Sequence, residues 1–124
     1  MNPIKATMMQ AMQGMRVQSE RIDLTSQNIS NADTPGYQRK MLVVDQNGDA
    51  FRRLRIELDG TEGERSYEPA HPMADDEGYV MLSNVQVVTE MADMREANRS
   101  YEANLNSFQQ ARTMYQSLLD ILKR

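Results

Sequence analysis

The sequence predicts an α+β chain in which a long helix at each end packs antiparallel to the other, coiled-coil fashion, with a small antiparallel β insert between them. Three observations carry that reading. Both ends repeat apolar residues at a 3.5-residue period, the mark of helices that pack along other helices. The middle alternates apolar and polar side chains over short runs bounded by Gly, Asn and Pro. Between the first helix and the insert stands Thr34-Pro35-Gly36, a turn that a helix does not pass through. The expected parts are a helix over residues 1–33, a turn and β insert over 34–84, and a second helix over 85–124.

The first helix is expected from about Pro3, a residue suited to a first helical turn, to Asn31. Ile4, Met8, Ala11, Met15, Ile22 and Ile29 form a narrow stripe, interrupted by Gln18 and Thr25. Gly14 costs about 1 kcal/mol of helix propensity relative to Ala, so this helix is weak alone.

The last segment, from about Val85, carries the strongest pattern. One row reads Val87, Met94, Tyr101, Phe108, Tyr115 and Leu122; the other reads Met91, Asn98, Leu105, Arg112 and Leu119. They alternate by fours and threes over five heptads, with no Pro or Gly in the segment. Ala97, Ala111 and Leu118 widen the stripe, and Asn104 is the polar member of that row. A helix of this length spans roughly 57 Å, more than a compact domain of this size is wide. Asn98 is expected to fix register as a polar seam residue, and Arg112 to snorkel along its stem. An out-and-back path leaves part of the longer helix uncovered, and exposed seam predicts self-association.

The insert reads as about three strands. RKMLVV runs into the turn signal Asp45-Gln46-Asn47-Gly48. FRRLRIEL follows, with Leu54, Ile56 and Leu58 on a face expected to be buried. GTEGER is a second turn, YEPAHP an extended connector, and GYVML a short strand. A sheet this small is not stable without a helix against it.

Composition excludes several functions. The chain has 124 residues, net charge −4 and no basic block, which argues against a nucleic-acid partner. With no Cys there is neither a disulfide nor a thiolate site. No apolar run is long enough to span a membrane, and MNPIKATMMQ lacks the apolar core of a cleaved leader; these signs alone point to the cytoplasm. Eleven Met and only seven aromatics, none of them Trp, describe a core tolerant of imprecise surroundings rather than a self-contained one.

No reactive constellation emerges. His71, the sole histidine, lies in a Pro-rich stretch beside Asp75, Asp76 and Glu77 and reads as part of a solvated acidic turn. Asp45, Asn47 and Asp49 fail as a calcium loop, because Ala50 takes the required glycine position and Ile56 the bidentate acid's. Asn28 and Asn98 each begin a glycosylation sequon, but both fall in expected helix. No catalytic residue, cofactor site, metal site or small-molecule substrate is expected.

That leaves NISNADTPGY. Asn28 and Asn31 offer side-chain hydrogen bonds to groups freed where a helix stops. Pro35 turns the chain out of the helix, Gly36 can take positive φ, and Tyr37 restarts it with a ring to pack. SQNISNADTPGYQRK resembles the signature of the bacterial flagellar rod and hook family, A-N-N-L-A-N-A-N-T-P-G-Y. Asn28, Asn31, Ala32, Thr34, Pro35, Gly36 and Tyr37 match it, while Ile29, Ser30 and Asp33 depart. YEPAHPMADDEGYVMLSNV (67–85) and VVTEMADMREANRSYEANLNSFQQARTM (87–114) are similar to the family's proximal-rod members. The likeness is weakest between Met41 and Arg65.

The resemblance implies a structural subunit of the flagellar basal-body rod, helping to build the axial tube that transmits torque. It implies passage through the flagellar type III export apparatus without a cleaved signal peptide, and assembly in the periplasm with other rod proteins and copies of itself. The expected assembly seam is Met8, Met15, Ile22 and Ile29 on the first helix. On the second it is Met91, Met94, Asn98, Tyr101, Leu105, Phe108, Tyr115, Leu119 and Leu122. The competing reading is a soluble helical adaptor or export chaperone acting as a discrete coiled-coil dimer.

Overall fold

A computed structural model describes residues 2–45 and 54–123. Its elements are α1 (Pro3–Ser30), β1 (Lys40–Val44), β2 (Leu54–Leu58), β3 (Arg65–Tyr67), β4 (Tyr79–Met81) and α2 (Val87–Leu122). α1 starts where Asn2 caps it, its Oδ1 accepting from the Ile4 N–H at 2.9 Å, with Pro3 in the first turn. α2 has 36 residues against 28 in α1, about 54 Å against 42 Å.

The helices pack antiparallel, as the two stripes lead one to expect. Three contacts set the register: Asn28 meets Glu90, Gly14 faces Asn104, and the Lys5 Nζ lies 5.3 Å from the centre of the Tyr115 ring. α2 therefore runs on past the first turn of α1. Its last turns expose Leu119 (38%), Ile121 (66%) and Leu122 (72%).

Small residues fill the line of contact. Ala11, Ala97 and Ala111 are buried, and a Cβ built on Gly14 falls 2.6 Å from the Asn104 Oδ1. The glycine that weakens α1 as an isolated helix is what lets α2 approach here. The centre of the contact is thus the row Ala97, Asn104 and Ala111, which the sequence places at the edge of the stripe, continued one heptad earlier by Glu90. Asn98 and Arg112 are exposed, so the polar residue opposite α1 is Asn104, not Asn98. The reason is steric: Ala and Gly permit a closer approach of two backbones than Met, Leu or Tyr.

The insert forms two separate two-stranded antiparallel sheets rather than one of three strands. β1 pairs with β2, Leu42 opposite Ile56, and β3 pairs with β4, Ser66 opposite Val80. The loop between the sheets is tied to the segment after β4: Leu82 N–H donates to the Glu64 carbonyl at 2.7 Å, and a Cβ on Gly63 would fall 2.1 Å from the Leu82 oxygen. That attachment draws β3 towards β4 and away from β2. The YEPAHP connector, expected to be extended, instead folds into a turn after β3, closed by His71 N–H to the Glu68 carbonyl at 3.0 Å. The acidic stretch expected to be a turn is one, closed by Gly78 N–H to the Asp75 carbonyl at 3.0 Å. The Asp45–Gly48 turn and the calcium-like positions 47, 49 and 50 fall wholly or partly outside the described residues.

One expectation about burial is reversed. Of the β2 face, only Leu54 is half-buried, while Ile56 is 54% exposed and Leu58 57%. Among the described residues the buried apolar set is Ala11, Leu24, Val80, Ala97 and Ala111, three of them alanines. The accessible surface is 9042 Å². A compact monomer of 14.2 kDa exposes about 6,800 Å². The fold is extended and thinly filled.

Candidate functional site

Among the described residues, the corner at the end of α1 is the most densely hydrogen-bonded part. Asn28, 1% exposed, uses every polar site it has. Its Oδ1 accepts from the Lys40 N–H and the Tyr37 hydroxyl, both at 2.9 Å. Its Nδ2 donates to the Lys40 carbonyl at 3.0 Å and to Glu90 Oε2 at 3.2 Å. One amide so joins the last turn of α1, the first residue of β1 and the first turn of α2. Carbonyl and N–H of Lys40 are matched as in a strand pairing, which only an Asn or Gln side chain can imitate.

The rest of the motif turns the chain. Asn31 Nδ2 donates to the Gln27 carbonyl at 2.9 Å, satisfying a helix-end acceptor, and its Oδ1 accepts from the Thr34 hydroxyl at 3.2 Å. Tyr37 N–H closes a turn on the Thr34 carbonyl at 3.1 Å, with Gly36 at φ 76°. Gly36 N–H donates to the Met81 carbonyl at 2.9 Å, and the Ser83 hydroxyl donates to the Ala32 carbonyl. The corner is thereby stitched to the strand that leads into α2.

Behind Asn28 lies a charged cluster. Glu90, 1% exposed, accepts from Asn28 on one oxygen and from the Arg39 Nε on the other. Arg39 also faces Asp93 at 3.4 Å and Asp59 at 3.7 Å. Burial works against the charged form of Arg39, but the hydrogen bond and charge of Glu90, with Asp93 and Asp59, outweigh it and hold the guanidinium above its ordinary range. Burial, then the Glu90 charge, raises the Tyr37 phenol above its usual value, so it remains a neutral donor to Asn28. Hydrogen bonds from Thr61 hold Asp59 below the ordinary carboxylate range, with Arg39 adding to the effect. Asn84 completes the clamp: its Oδ1 accepts from the Arg39 N–H at 2.6 Å while its Nδ2 donates to the Asp59 and Thr61 carbonyls at 2.9 and 2.8 Å.

Each of these groups is consumed by a partner. Among the described residues no group of three or more His, Cys, Asp or Glu is placed to hold a metal ion, and no helix is long and apolar enough to cross a membrane. The corner holds three segments at fixed angles, and its chemistry is that of a joint.

The stripe divides. Met8, Met15, Ile22 and Ile29 are half-buried, as are Met94, Tyr101, Leu105, Phe108 and Tyr115. Met91, Asn98, Leu119 and Leu122 are exposed, and Val88 beside them is 82% exposed. Met94, Tyr101, Phe108 and Tyr115 form a row near α1, whereas in the row one step round the helix only Leu105 is half-buried.

The comparisons with known proteins agree with the geometry. Residues 8–38 match the family described as flagella basal body rod protein, and residues 76–121 match the flagellar basal body rod FlgEFG protein C-terminal family. Along its length the chain is similar to the flagellar basal-body rod protein FlgC of Agrobacterium fabrum, 40% identical over 99% of this chain and 98% of the relative. The chain belongs to the FlgC family of flagellar basal-body rod proteins. The FlgC proteins of Borreliella burgdorferi and Bacillus subtilis are 33% and 28% identical, over 89% and 88% of this chain and 91% of each relative. It is therefore a structural component of the flagellar basal-body rod, not an enzyme, and FlgC membership implies assembly with other rod proteins.

Glu90, Arg39 and Asn84 escaped the reading of the sequence. Glu90 offered a faint signal, since it lies seven residues before Ala97 in the row that proved central. Arg39 and Asn84 stand in short irregular segments with no period to betray them.

Proposed function

We propose that this chain builds rod wall through its terminal segments, residues 1–33 and 85–124, and that the exposed α2 row, with Met91 and Leu119, lies between subunits. The corner and insert, residues 34–84, then fix how each helix pair is presented. The observation that carries this reading is the unfilled interior. The chain exposes about 2,000 Å² more than a compact monomer of its mass, over twice the roughly 800 Å² that one partner buries in a standard protein–protein interface. Three buried alanines recover little of the ordering entropy of two helices totalling 64 residues. Assembly and final ordering of the helices are therefore coupled, and the partners are other rod proteins and further copies of this chain. A loosely held helix pair also suits passage through the flagellar type III export apparatus to a periplasmic site of assembly.

Met91→Asp tests the reading with little risk to the fold, because Met91 is 47% exposed. The variant should keep its circular dichroism yet leave cells non-motile, with the chain missing from purified basal bodies. Normal motility would remove the seam. In dilute solution the helical ends should be cleaved rapidly by protease. Stable, protease-resistant dimers would favour an adaptor instead.

A further inference from the structure

The β1–β2 sheet has an open edge. On β1, the N–H and carbonyl of Lys40 are both taken by the Asn28 amide. Lys40 therefore turns its backbone groups away from β2, and its pair with Leu58 is one without backbone bonds. One residue further along β2, Asp59 N–H donates to the Arg39 carbonyl at 2.7 Å. Alternation fixes the rest. Arg55 and Glu57 turn their backbone groups to β1, while Leu54, Ile56 and Leu58 turn theirs outward. Among the described residues nothing bonds those outward groups. Such an edge is a template for another strand.

We infer that the β2 edge pairs antiparallel with the β2 edge of a second copy, Ile56 opposite Ile56. In that register the strand is complementary to itself. Leu54 lies opposite Leu58, and Arg55 opposite Glu57, so the two-fold pair gains two cross-strand pairs of opposite charge. A slip of two residues, the smallest that keeps outward groups opposed, sets Arg55 against Arg55 or Glu57 against Glu57. Parallel pairing in register also puts like charges side by side. Within one chain Arg55 and Glu57 already form an exposed ion pair of 2.9 Å, which the second copy turns into a ring of four alternating charges. On the other face Leu42 and Ile56 of both copies form one apolar band. Five residues from each copy make a contact well below about 1,000 Å², so the pair is weak. A two-fold pair closes and does not extend along a line. It is a state of the free chain, and it stands whether or not the rod reading does.

Sedimentation of the pure chain should show a monomer–dimer equilibrium that weakens with salt. Arg55→Glu and Glu57→Arg should each raise the dissociation constant at least tenfold with unchanged circular dichroism, since both side chains are exposed. Mixed in equal amounts, the two variants should pair with each other, and both exchanges in one chain should recover the natural value. Association through the helices is indifferent to these changes. A natural chain that stays monomeric at millimolar concentration overturns the inference. So do single reversals that associate like the natural chain, or a mixture that does not pair. As a second measurement, Ile56→Cys in this Cys-free chain should oxidise to a homodimer at least tenfold faster than Met73→Cys, a comparably exposed position off the strand. Equal rates count against the pairing.

Discussion

The corner and the helix pair solve opposite problems. Around Asn28 and Glu90 every buried side-chain polar atom among the described residues is bonded, and the groups come from α1, β1, α2 and the segment between β4 and α2. Along α1 and α2 the contact is a line of alanines, one glycine and one asparagine, with the flanking apolar side chains only half-buried and Met91, Leu119 and Leu122 left outside. Hydrogen bonds fix directions but add little net stability, whereas apolar burial stabilises without fixing direction. The molecule puts its directional bonding where its parts must keep their angles. Its apolar surface remains for neighbours.

That contrast can be broken most severely at Glu90. Glu90→Ala leaves one buried Asn28 donor without its acceptor and takes from the Arg39 guanidinium its nearest carboxylate, with Asp93 and Asp59 remaining, a loss of about 2–3 kcal/mol. Urea unfolding followed by circular dichroism should show a destabilisation of that size. A shift below about 1 kcal/mol would mean that the corner is not the anchor described here.

Gly36→Ala is the next test. With Gly36 at φ 76° and no atom within 4 Å of a built Cβ, the penalty is purely that of the backbone. It should amount to about 1–2 kcal/mol in the same unfolding experiment. A neutral result would show that the turn can be made another way.

Gly14→Ala tests the helix line. Helix propensity favours Ala by about 1 kcal/mol, but the new methyl would press on the Asn104 amide, a crowding worth about 1–3 kcal/mol. Net destabilisation of about 1 kcal/mol is expected, and Asn104→Ala in the same chain should reverse its sign. If Gly14→Ala alone is stabilising, the helices are not held as closely as described.

The smallest effect concerns pH at the β3–β4 sheet. Asp75 is held below the ordinary carboxylate range, chiefly by the Tyr79 N–H, with Arg65 and the Glu77 N–H adding. A carboxylate depressed by folding stabilises above its unfolded value, about 3.9, and that contribution fades as the pH falls towards the folded value. The amide signals of Glu77 and Tyr79 should therefore move only in acid, below about pH 4. Titration at higher pH, or none at all in acid, would remove Asp75 from the hairpin's support.

The helices were legible because periodicity reports burial along an axis, and both ends of α1 and α2 fell within a few residues of the expected ones. Which row would be central was not legible. A heptad pattern marks apolar positions, but the closest approach of two helices selects small side chains, so Ala97 and Gly14 outweighed Met91 and Leu105. The motif announced a corner through Pro35 and Gly36, whose backbone limits are local. It did not announce Glu90 or Asn84, which act across 62 residues from Asn28 and 45 from Arg39. The burial expected for Ile56 and Leu58 failed for a different reason. Alternation identifies an apolar face but not which molecule covers it.

The notch at Gly14 has a consequence for how such a chain could be handled. Only one glycine interrupts α1, and only one asparagine side chain fills it. Slide the helices by one heptad and the amide meets Thr7 or Arg21 while only an alanine methyl faces the gap. A hairpin drawn apart and threaded as a strand can thus find a single alignment on re-closing, much as a keyed shaft seats in only one position.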